Sequence, residues 1–130
     1  MSSLQVDNIQ SYNANPPVIK SSSGAEVGTF CRAWVNFNGT GTVAIRASFN
    51  VSSITDNGVG NYTVNFTTAM ADTNYSAVCS GSRSSTFIGY GAFKARPSST
   101  SACPVYFYVE DAYYGESPID GDILCVSVFR

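Results

Sequence analysis

The sequence predicts an all-β protein, an antiparallel β-sandwich or barrel-like domain of about seven or eight strands with an extended N-terminal segment. Runs of alternating apolar and polar residues, bounded by Gly, Asn, Asp or Ser, recur along most of the chain. Helical patterns are nearly absent, since the chain has only two leucines, Leu4 and Leu124, and few Glu or Lys. Its 130 residues are the size of one domain.

The clearest strand pair lies in residues 31–52. The first strand, 31–38, has one apolar face, while Trp34 lies on the opposite face. Asn38 and the glycines that follow it supply a turn in which positive φ angles are tolerated. The return strand, 42–52, alternates again, and its predicted inward residues are Val43, Ile45, Ala47, Phe49 and Val51. Two such strands joined by an Asn-Gly turn predict a β-hairpin.

Further strands follow a second turn at 56–60. Their predicted ranges are 61–67, 74–80, 87–93, 105–110 and 123–129. The predicted inward residues of two of these strands are Tyr62, Val64 and Phe66, and Val105, Phe107 and Val109. The intervening loops, 80–86, 96–104 and 111–122, are where a β-scaffold usually carries its specificity.

The N-terminal residues differ from the rest of the chain. Their apolar residues are widely spaced, the Pro16-Pro17 pair favours an extended backbone, and 20–24 is linker-like. We therefore expect residues 1–24 to be an extended attachment or intertwining segment and residues 25–130 to be the β-domain. Such a segment needs a partner surface, either the main domain or a neighbouring copy. The start lacks a signal-peptide pattern, so we expect synthesis without secretion.

Composition bears on several classes of partner. The net charge is −2 and the basic residues are scattered singly, so we expect no nucleic-acid binding. No apolar run is long enough for membrane insertion. The four cysteines are widely spaced, which leaves open either buried free thiols or one or two disulfides. Without histidine or close cysteine pairs, no zinc site is expected.

The absence of histidine removes Ser-His-Asp, Cys-His and His-based metal hydrolysis. Five carboxylates surround the last long loop, and they leave open a paired-carboxylate glycosidase, oxygen ligands for Ca²⁺ from Asp120 and Asp122, or a solvated acidic loop. The five are Glu110, Asp111, Glu116, Asp120 and Asp122. We favour the solvated loop, and we expect no enzyme activity, no bound metal and no cofactor.

Aromatic residues on the faces opposite the core are a second candidate site. Trp34, Tyr106 and Tyr108 alternate against apolar neighbours, and Tyr113 and Tyr114 lie in the acidic loop. Such rings beside hydroxyl and amide groups can stack on sugars or anchor a protein contact. Burial between strand layers or between subunits is the alternative.

Two stretches resemble a known family. Residues 31–67, CRAWVNFNGTGTVAIRASFNVSSITDNGVGNYTVNFT, closely resemble the C-terminal tip domain of tail fibre proteins of tailed bacteriophages, particularly marine and cyanobacterial phages. The end of the chain, LCVSVFR at 124–130, is similar to the way such fibres end. The resemblance covers roughly residues 25–130 and implies a homotrimeric virion protein that is assembled in the bacterial host cytoplasm. The family has no fixed set of binding residues.

The function expected from this resemblance is a phage tail fibre or tail-tip protein that binds a host surface polysaccharide as a trimer and contacts other tail proteins. The receptor-binding residues we predict are Tyr113, Tyr114, Arg83 and Tyr90, from loops and outward aromatic positions. One alternative is a purely structural virion component whose outward faces are covered by subunit contacts. Another is a depolymerase that acts on the same polysaccharide through the acidic loop.

Overall fold

The structure is a computed structural model that describes residues 5–10, 17–83, 90–111 and 115–130. For Tyr90, Glu110, Asp111 and Glu116 it describes the backbone and not the side chain. The chain divides into two compact units, Met1–Phe30 and Cys31–Arg130. Within the described ranges, no helix has the length and apolar character needed to cross a membrane.

The first unit contains a short antiparallel hairpin, β1 (Ile19–Lys20) and β2 (Glu26–Gly28). The Ser21 N–H donates to the Ala25 carbonyl (2.8 Å), and Gly24 takes a positive φ of 82° in the turn. The stretch 20–24, whose composition predicts a linker, is therefore the turn of this hairpin. Its apolar side chains remain exposed, as for Val27.

Within the described part of the second unit, nine strands form two antiparallel sheets. Sheet I has the order β4-β3-β11-β7, and sheet II has the order β10-β9-β6-β5 with β8 on the other edge of β9. The strands are β3 (Cys31–Asn38), β4 (Ala44–Phe49), β5 (Val51–Asp56), β6 (Asn61–Phe66), β7 (Ser76–Ser82), β8 (Tyr90–Ala95), β9 (Ala102–Asp111), β10 (Gly115–Pro118) and β11 (Ile123–Phe129).

The two sheets share one hydrophobic core. The rings of Phe37 from sheet I and Tyr62 from sheet II meet edge to face, with centroids 5.3 Å apart. Fully buried residues from both sheets surround this contact, among them Val35, Val64, Val105, Phe107 and Val126. The predicted all-β fold is confirmed, and of its two forms the structure is sandwich-like and not a closed barrel, because the two sheets remain separate.

The predicted inward face of strand 42–52 is wrong in part. β4 pairs with β3 as expected, but Arg46 is an extra residue, since Asn36 pairs with Ala47 and Phe37 pairs with Ile45. This bulge changes the side on which the alternating residues lie. The predicted inward residues Ala47 and Phe49 consequently lie on the outer face and are exposed. Ile45 pairs with the buried Phe37 and lies on the inner side as predicted, although on this edge strand it remains 36% exposed. Val43 packs against the core and Val51 is buried.

The predicted single strand also divides at Asn50, where the chain passes from sheet I to sheet II. Asn50 has a φ of 54°, a left-handed conformation that Asn tolerates better than most residues. Its side-chain amide donates to the carbonyls of Arg32 and Thr68 (3.0 Å each), and its Oδ1 accepts from the Thr68 N–H (2.7 Å). These bonds hold the crossing point, so β5 belongs to the opposite sheet from β4.

Candidate functional site

Several connections meet at one end of the sandwich. The Gly39 N–H donates to the Gly121 carbonyl (2.8 Å), and the Gly60 N–H donates to Asp120 Oδ1 (2.9 Å). β7 ends here too, because its last residues pair with the start of β11. We call this region the loop end, and it comprises residues 39–43, 57–60, 81–83 and 119–122.

The buried residue Tyr62 forms hydrogen bonds to two of the loops at the loop end. The Tyr62 hydroxyl donates to Asp120 Oδ1 (2.5 Å) and lies 3.1 Å from the Gly39 carbonyl oxygen. Burial raises the pKa of Tyr62 well above its usual value, and its hydrogen bond to Asp120 and the negative charges of Asp120 and Asp56 raise it further. Tyr62 therefore remains a neutral hydrogen-bond donor that positions the loops.

Glycine is required at the centre of this arrangement. Gly60 has a φ of 66°, and a Cβ atom there would collide with the Phe107 carbonyl oxygen and approach the Ile119 nitrogen to 2.8 Å. The Gly60 carbonyl accepts from the Phe107 N–H (2.8 Å), and the Ile119 N–H donates to the Phe107 carbonyl (3.0 Å). The backbones of β6, β9 and the segment after β10 thus approach one another at a position where a side chain does not fit.

Two open pockets adjoin each other at the loop end, and Arg83 and Ile119 line both. The first has a volume of about 220 Å³ and an apolar floor that includes Phe93, Val109 and Leu124. The second has a volume of about 290 Å³ and is lined in addition by Thr40, Val59, Pro118 and Asp120. Arg83 therefore lies between two mixed pockets, of which the first has more apolar side chains in its lining.

Of the four predicted receptor-binding residues, the structure describes two, Arg83 and the backbone of Tyr90. Arg83 lies at the loop end between the two pockets. Tyr90 is the first residue of β8 and pairs with Glu110, although its side chain is not described. Tyr113 and Tyr114 lie outside the described residues. The sequence patterns missed Ile119 and the Tyr62–Asp120 bond, because alternation indicates that Tyr62 is inward but does not indicate what its hydroxyl contacts.

The acidic residues do not assemble a metal site in the described part of the chain. No group of three or more His, Cys, Asp or Glu among those residues is placed to hold an ion. Asp120 Oδ1 accepts from Tyr62 and Gly60, and Asp122 Oδ1 is buried without a hydrogen-bond partner among the described atoms.

The outer face of sheet I, which we call outer face I, carries an apolar row. Phe49 pairs with Trp34, Trp34 pairs with Ser127, and Ser127 pairs with Val78, so the row crosses all four strands. Their side chains remain 55% exposed for Phe49, 39% for Trp34 and 57% for Val78. Trp34 therefore faces away from the core, as alternation predicts.

The outer face of sheet II, which we call outer face II, is more polar. Tyr106 and Tyr108 stack with ring centroids 6.5 Å apart, and Lys94 Nζ lies 5.0 Å from the Tyr108 centroid. On neighbouring strands, Asn65 Nδ2 donates to Ser53 Oγ (3.0 Å) and to Thr55 Oγ1 (2.9 Å). This face presents aromatic rings beside amides, hydroxyls and an ammonium group.

All four cysteines are free thiols, which decides between the two possibilities left open by their spacing. Burial raises the pKa of Cys79 to about 12 and also raises the pKa of Cys103. Both thiols therefore remain protonated at neutral pH and pack as small apolar side chains.

Comparison with known proteins does not identify the family of this chain. No family model matches the sequence, and no curated protein and no solved structure matches it either. The likeness to phage tail fibres thus remains a resemblance, and the function must be argued from the loop end and the two outer faces.

Proposed function

We propose that this chain is a virion tail fibre or tail-tip protein of a tailed bacteriophage, whose β-domain binds a polysaccharide on the host cell surface as a homotrimer. The observation that carries the proposal is the pair of adjoining pockets at the loop end, with Arg83 and Ile119 between them. Loops at one end of a β-scaffold are a common position for recognition. The resemblance of residues 31–67 and 124–130 to phage fibre tips supplies the biological context.

The pockets have the size and chemistry for sugar residues. Each is smaller than the roughly 300–1,000 Å³ of a typical drug-sized site, so each accommodates a small group such as one sugar ring. Apolar side chains such as Phe93 can contact the C–H face of a ring, while Arg83 and Thr40 offer polar groups to its hydroxyls. Single contacts of this kind are weak, and three subunits on several fibres would multiply them.

The same proposal includes a location in the virion tail fibre, assembly in the host cytoplasm and contacts with other tail proteins. The free cysteines fit assembly in the reducing cytoplasm of a bacterial host. Other tail proteins would hold the N-terminal unit. The protein would act as a binding module without a cofactor.

Outer face I favours a second candidate function, a purely structural virion component. Its apolar row of Phe49, Trp34 and Val78 has the character of a subunit contact. A trimeric receptor-binding tip would use the same row between subunits, so the row alone does not separate the two functions.

Adsorption of the purified full chain to host cells and to an array of bacterial surface polysaccharides tests the proposal. We expect binding by the wild-type chain, and at least about tenfold weaker binding by Arg83→Ala, because a side chain that lines both pockets is removed. Arg32→Ala, an arginine on sheet I, is the matched control and should bind normally.

Three outcomes would contradict parts of this proposal. Absence of adsorption by an intact trimer would favour the structural component. A monomer in light scattering would contradict the trimer. Shortened glycan after incubation with the protein would favour the depolymerase.

A further inference from the structure

Two turns of the β-domain contain an Asn-Gly sequence, and the two differ in their hydrogen bonds. Asn38-Gly39 follows β3, and Asn57-Gly58 connects β5 to β6. In such a pair the backbone nitrogen of the glycine can attack the side-chain carbonyl carbon of the asparagine, because glycine has no side chain to hinder the approach. The reaction releases ammonia and converts the asparagine into aspartate or isoaspartate. Local structure therefore decides which of the two pairs reacts.

The first pair, Asn38-Gly39, is held at both reacting groups. Asn38 Nδ2 donates to the Thr40 carbonyl (2.7 Å), and Asn38 Oδ1 accepts from the Thr40 hydroxyl (2.8 Å). Gly39 is buried, and its N–H donates to the Gly121 carbonyl (2.8 Å). Attack by the Gly39 nitrogen would require these bonds to break first. The fold therefore protects Asn38.

The second pair, Asn57-Gly58, is exposed at both residues. A Cβ atom on Gly58 would meet no other atom within 4 Å, so the chain at the attacking residue is open to solvent on that side. Asn57 Nδ2 donates to Thr63 Oγ1 (3.0 Å), a bond between exposed side chains that water can replace. The Asn57 side chain is therefore less constrained than that of Asn38.

A carboxylate is in contact with the attacking nitrogen of the second pair. The Gly58 N–H donates to Asp56 Oδ1 (2.9 Å), whereas the Gly39 N–H of the first pair donates to a backbone carbonyl. A general base must lie within about 2.6–3.2 Å of the atom whose proton it takes, and Asp56 meets this requirement. Backbone bonds fix the arrangement, because the Asn57 N–H donates to the Asn61 carbonyl and the Asn61 N–H donates to the Gly58 carbonyl (2.9 Å each).

We propose that Asn57-Gly58 is a self-modifying site, at which folded protein converts Asn57 into aspartate and isoaspartate with Asp56 as the general base. The Gly58 nitrogen bonds to Asn57 Cγ while Asp56 takes its proton. The Cγ–Nδ2 bond then breaks, and the amide nitrogen leaves as ammonia with that proton. The resulting succinimide ring takes up one water molecule and opens at either of its two carbonyls.

The modification changes the charge of the loop end. Each converted chain gains one carboxylate in the turn 57–60, where Val59 lines the second pocket together with Asp120. Asp56 already adjoins this turn, so the new group increases a local negative charge. The inference is independent of the proposed function, because it depends on the geometry of the turn and not on what the pockets bind.

The test follows both asparagines in the purified full chain during incubation at mildly alkaline pH. Trypsin cleaves after Arg46 and separates the sites into peptides 33–46 and 47–83, and mass spectrometry detects the replacement of NH₂ by OH. In the folded chain Asn57 should react at least about tenfold faster than Asn38, because each hydrogen bond broken at Asn38 costs about 1 kcal/mol. In guanidinium chloride the two sites should react at similar rates.

Variants test the base and the site separately. Asp56→Asn retains an acceptor for the Gly58 N–H but removes the base, and it should slow the reaction at Asn57 by about tenfold or more. Asp72→Asn, the same chemical change at the opposite end of sheet I, should leave the rate unchanged. Asn57→Gln should abolish the reaction at this turn, since attack would have to close a larger ring. Circular dichroism identifies any variant that fails to fold, and the wild-type comparison of Asn57 with Asn38 then carries the test.

Three results would overturn the inference. One is an unmodified Asn57 in the folded chain after a time in which the unfolded chain has reacted. Another is a folded chain in which Asn38 reacts as fast as Asn57. The third, an unchanged rate in a folded Asp56→Asn variant, would remove Asp56 as the base.

Discussion

The two outer faces of the sandwich cover the same core but differ in chemistry. Outer face I exposes the apolar row of Phe49, Trp34 and Val78, interrupted by Ser127. Outer face II carries half-buried tyrosines together with asparagine, serine and threonine side chains that are hydrogen-bonded across strands. An apolar row gains free energy when another surface covers it, whereas amides and hydroxyls lose water at a cost unless a polar ligand replaces it. The contrast supports the proposed subunit contact on outer face I and favours an outer face II that stays hydrated.

The chemistry of outer face I also depends on the register in which β4 pairs with β3. Both sheets consist of strands with the same two-residue alternation, yet the apolar row of outer face I exists only because Phe49 pairs with Trp34. Without the extra residue Arg46, the alternating residues of β4 would share one face along the whole strand. One bulge therefore adds an exposed phenylalanine to a face that already carries an exposed tryptophan.

The largest expected effect separates the inner and outer faces of sheet I. Phe37→Ala should lower the free energy of unfolding by about 3–5 kcal/mol, because Phe37 is fully buried against Tyr62 and Phe107. Phe49→Ala, on the exposed side, should change it by less than about 1 kcal/mol. Urea unfolding, at a dilution where the chain is monomeric, measures both. Similar losses in the two variants would contradict the distinction.

A smaller effect should distinguish the two outer faces from each other. Trp34→Ser is expected to weaken self-association by about 2 kcal/mol, roughly 30-fold, because tryptophan anchors are among the strongest contributors to protein interfaces. Tyr108→Ser, on outer face II, should leave association unchanged. Sedimentation or light scattering over a range of concentrations measures the difference. If the tyrosine variant dissociated and the tryptophan variant did not, the assignment of the two faces would be reversed.

The loop end joins the two sheets, so its polar bond should contribute to stability independently of either outer face. Tyr62→Phe removes the donor to Asp120 and should cost about 1–2 kcal/mol of unfolding free energy, since buried polar partners are left unpaired. Tyr106→Phe removes a hydroxyl from outer face II and serves as the matched control, with little change expected. Equal losses for the two variants in urea unfolding would argue against a structural role for the Tyr62 hydroxyl.

The smallest expected effect lies at the opposite end of sheet I. Hydrogen bonds from Arg130, and then from the Asn74 backbone, lower the pKa of Asp72 from 3.8 to about 2. A carboxyl with a lowered folded-state pKa stabilises the fold above its unfolded-state pKa and loses that contribution as the pH falls through the folded value. Stability should therefore decline between about pH 4 and about pH 2, by a small amount because the pair is exposed. Asp72→Asn should flatten this part of the urea-midpoint profile, and an unchanged slope would contradict it.

Much of the fold could be predicted from local patterns. The inward positions of Phe37, Val64 and Phe107 follow from alternation, which reflects the geometry of a strand and needs no knowledge of its partner. The outward position of Trp34 follows for the same reason. The inward assignment of Ala47 and Phe49 failed because a bulge depends on how two strands pair. Likewise, Asn50 contains no local signal that β4 and β5 belong to different sheets, since its partner Thr68 is 18 positions away.

The candidate site was less predictable than the fold. Loop position alone predicted Arg83, which lies between the two pockets, but it could not identify Ile119 as the other shared residue. The sequence by itself determined the all-β class, the alternation of each strand and the absence of histidine chemistry, because these depend on residues close together or on composition. Only the tertiary structure decided that Tyr62 holds Asp120 across 58 positions and that Lys94 lies over Tyr108. Such contacts depend on strand order and register, which are set by the packing of the whole domain.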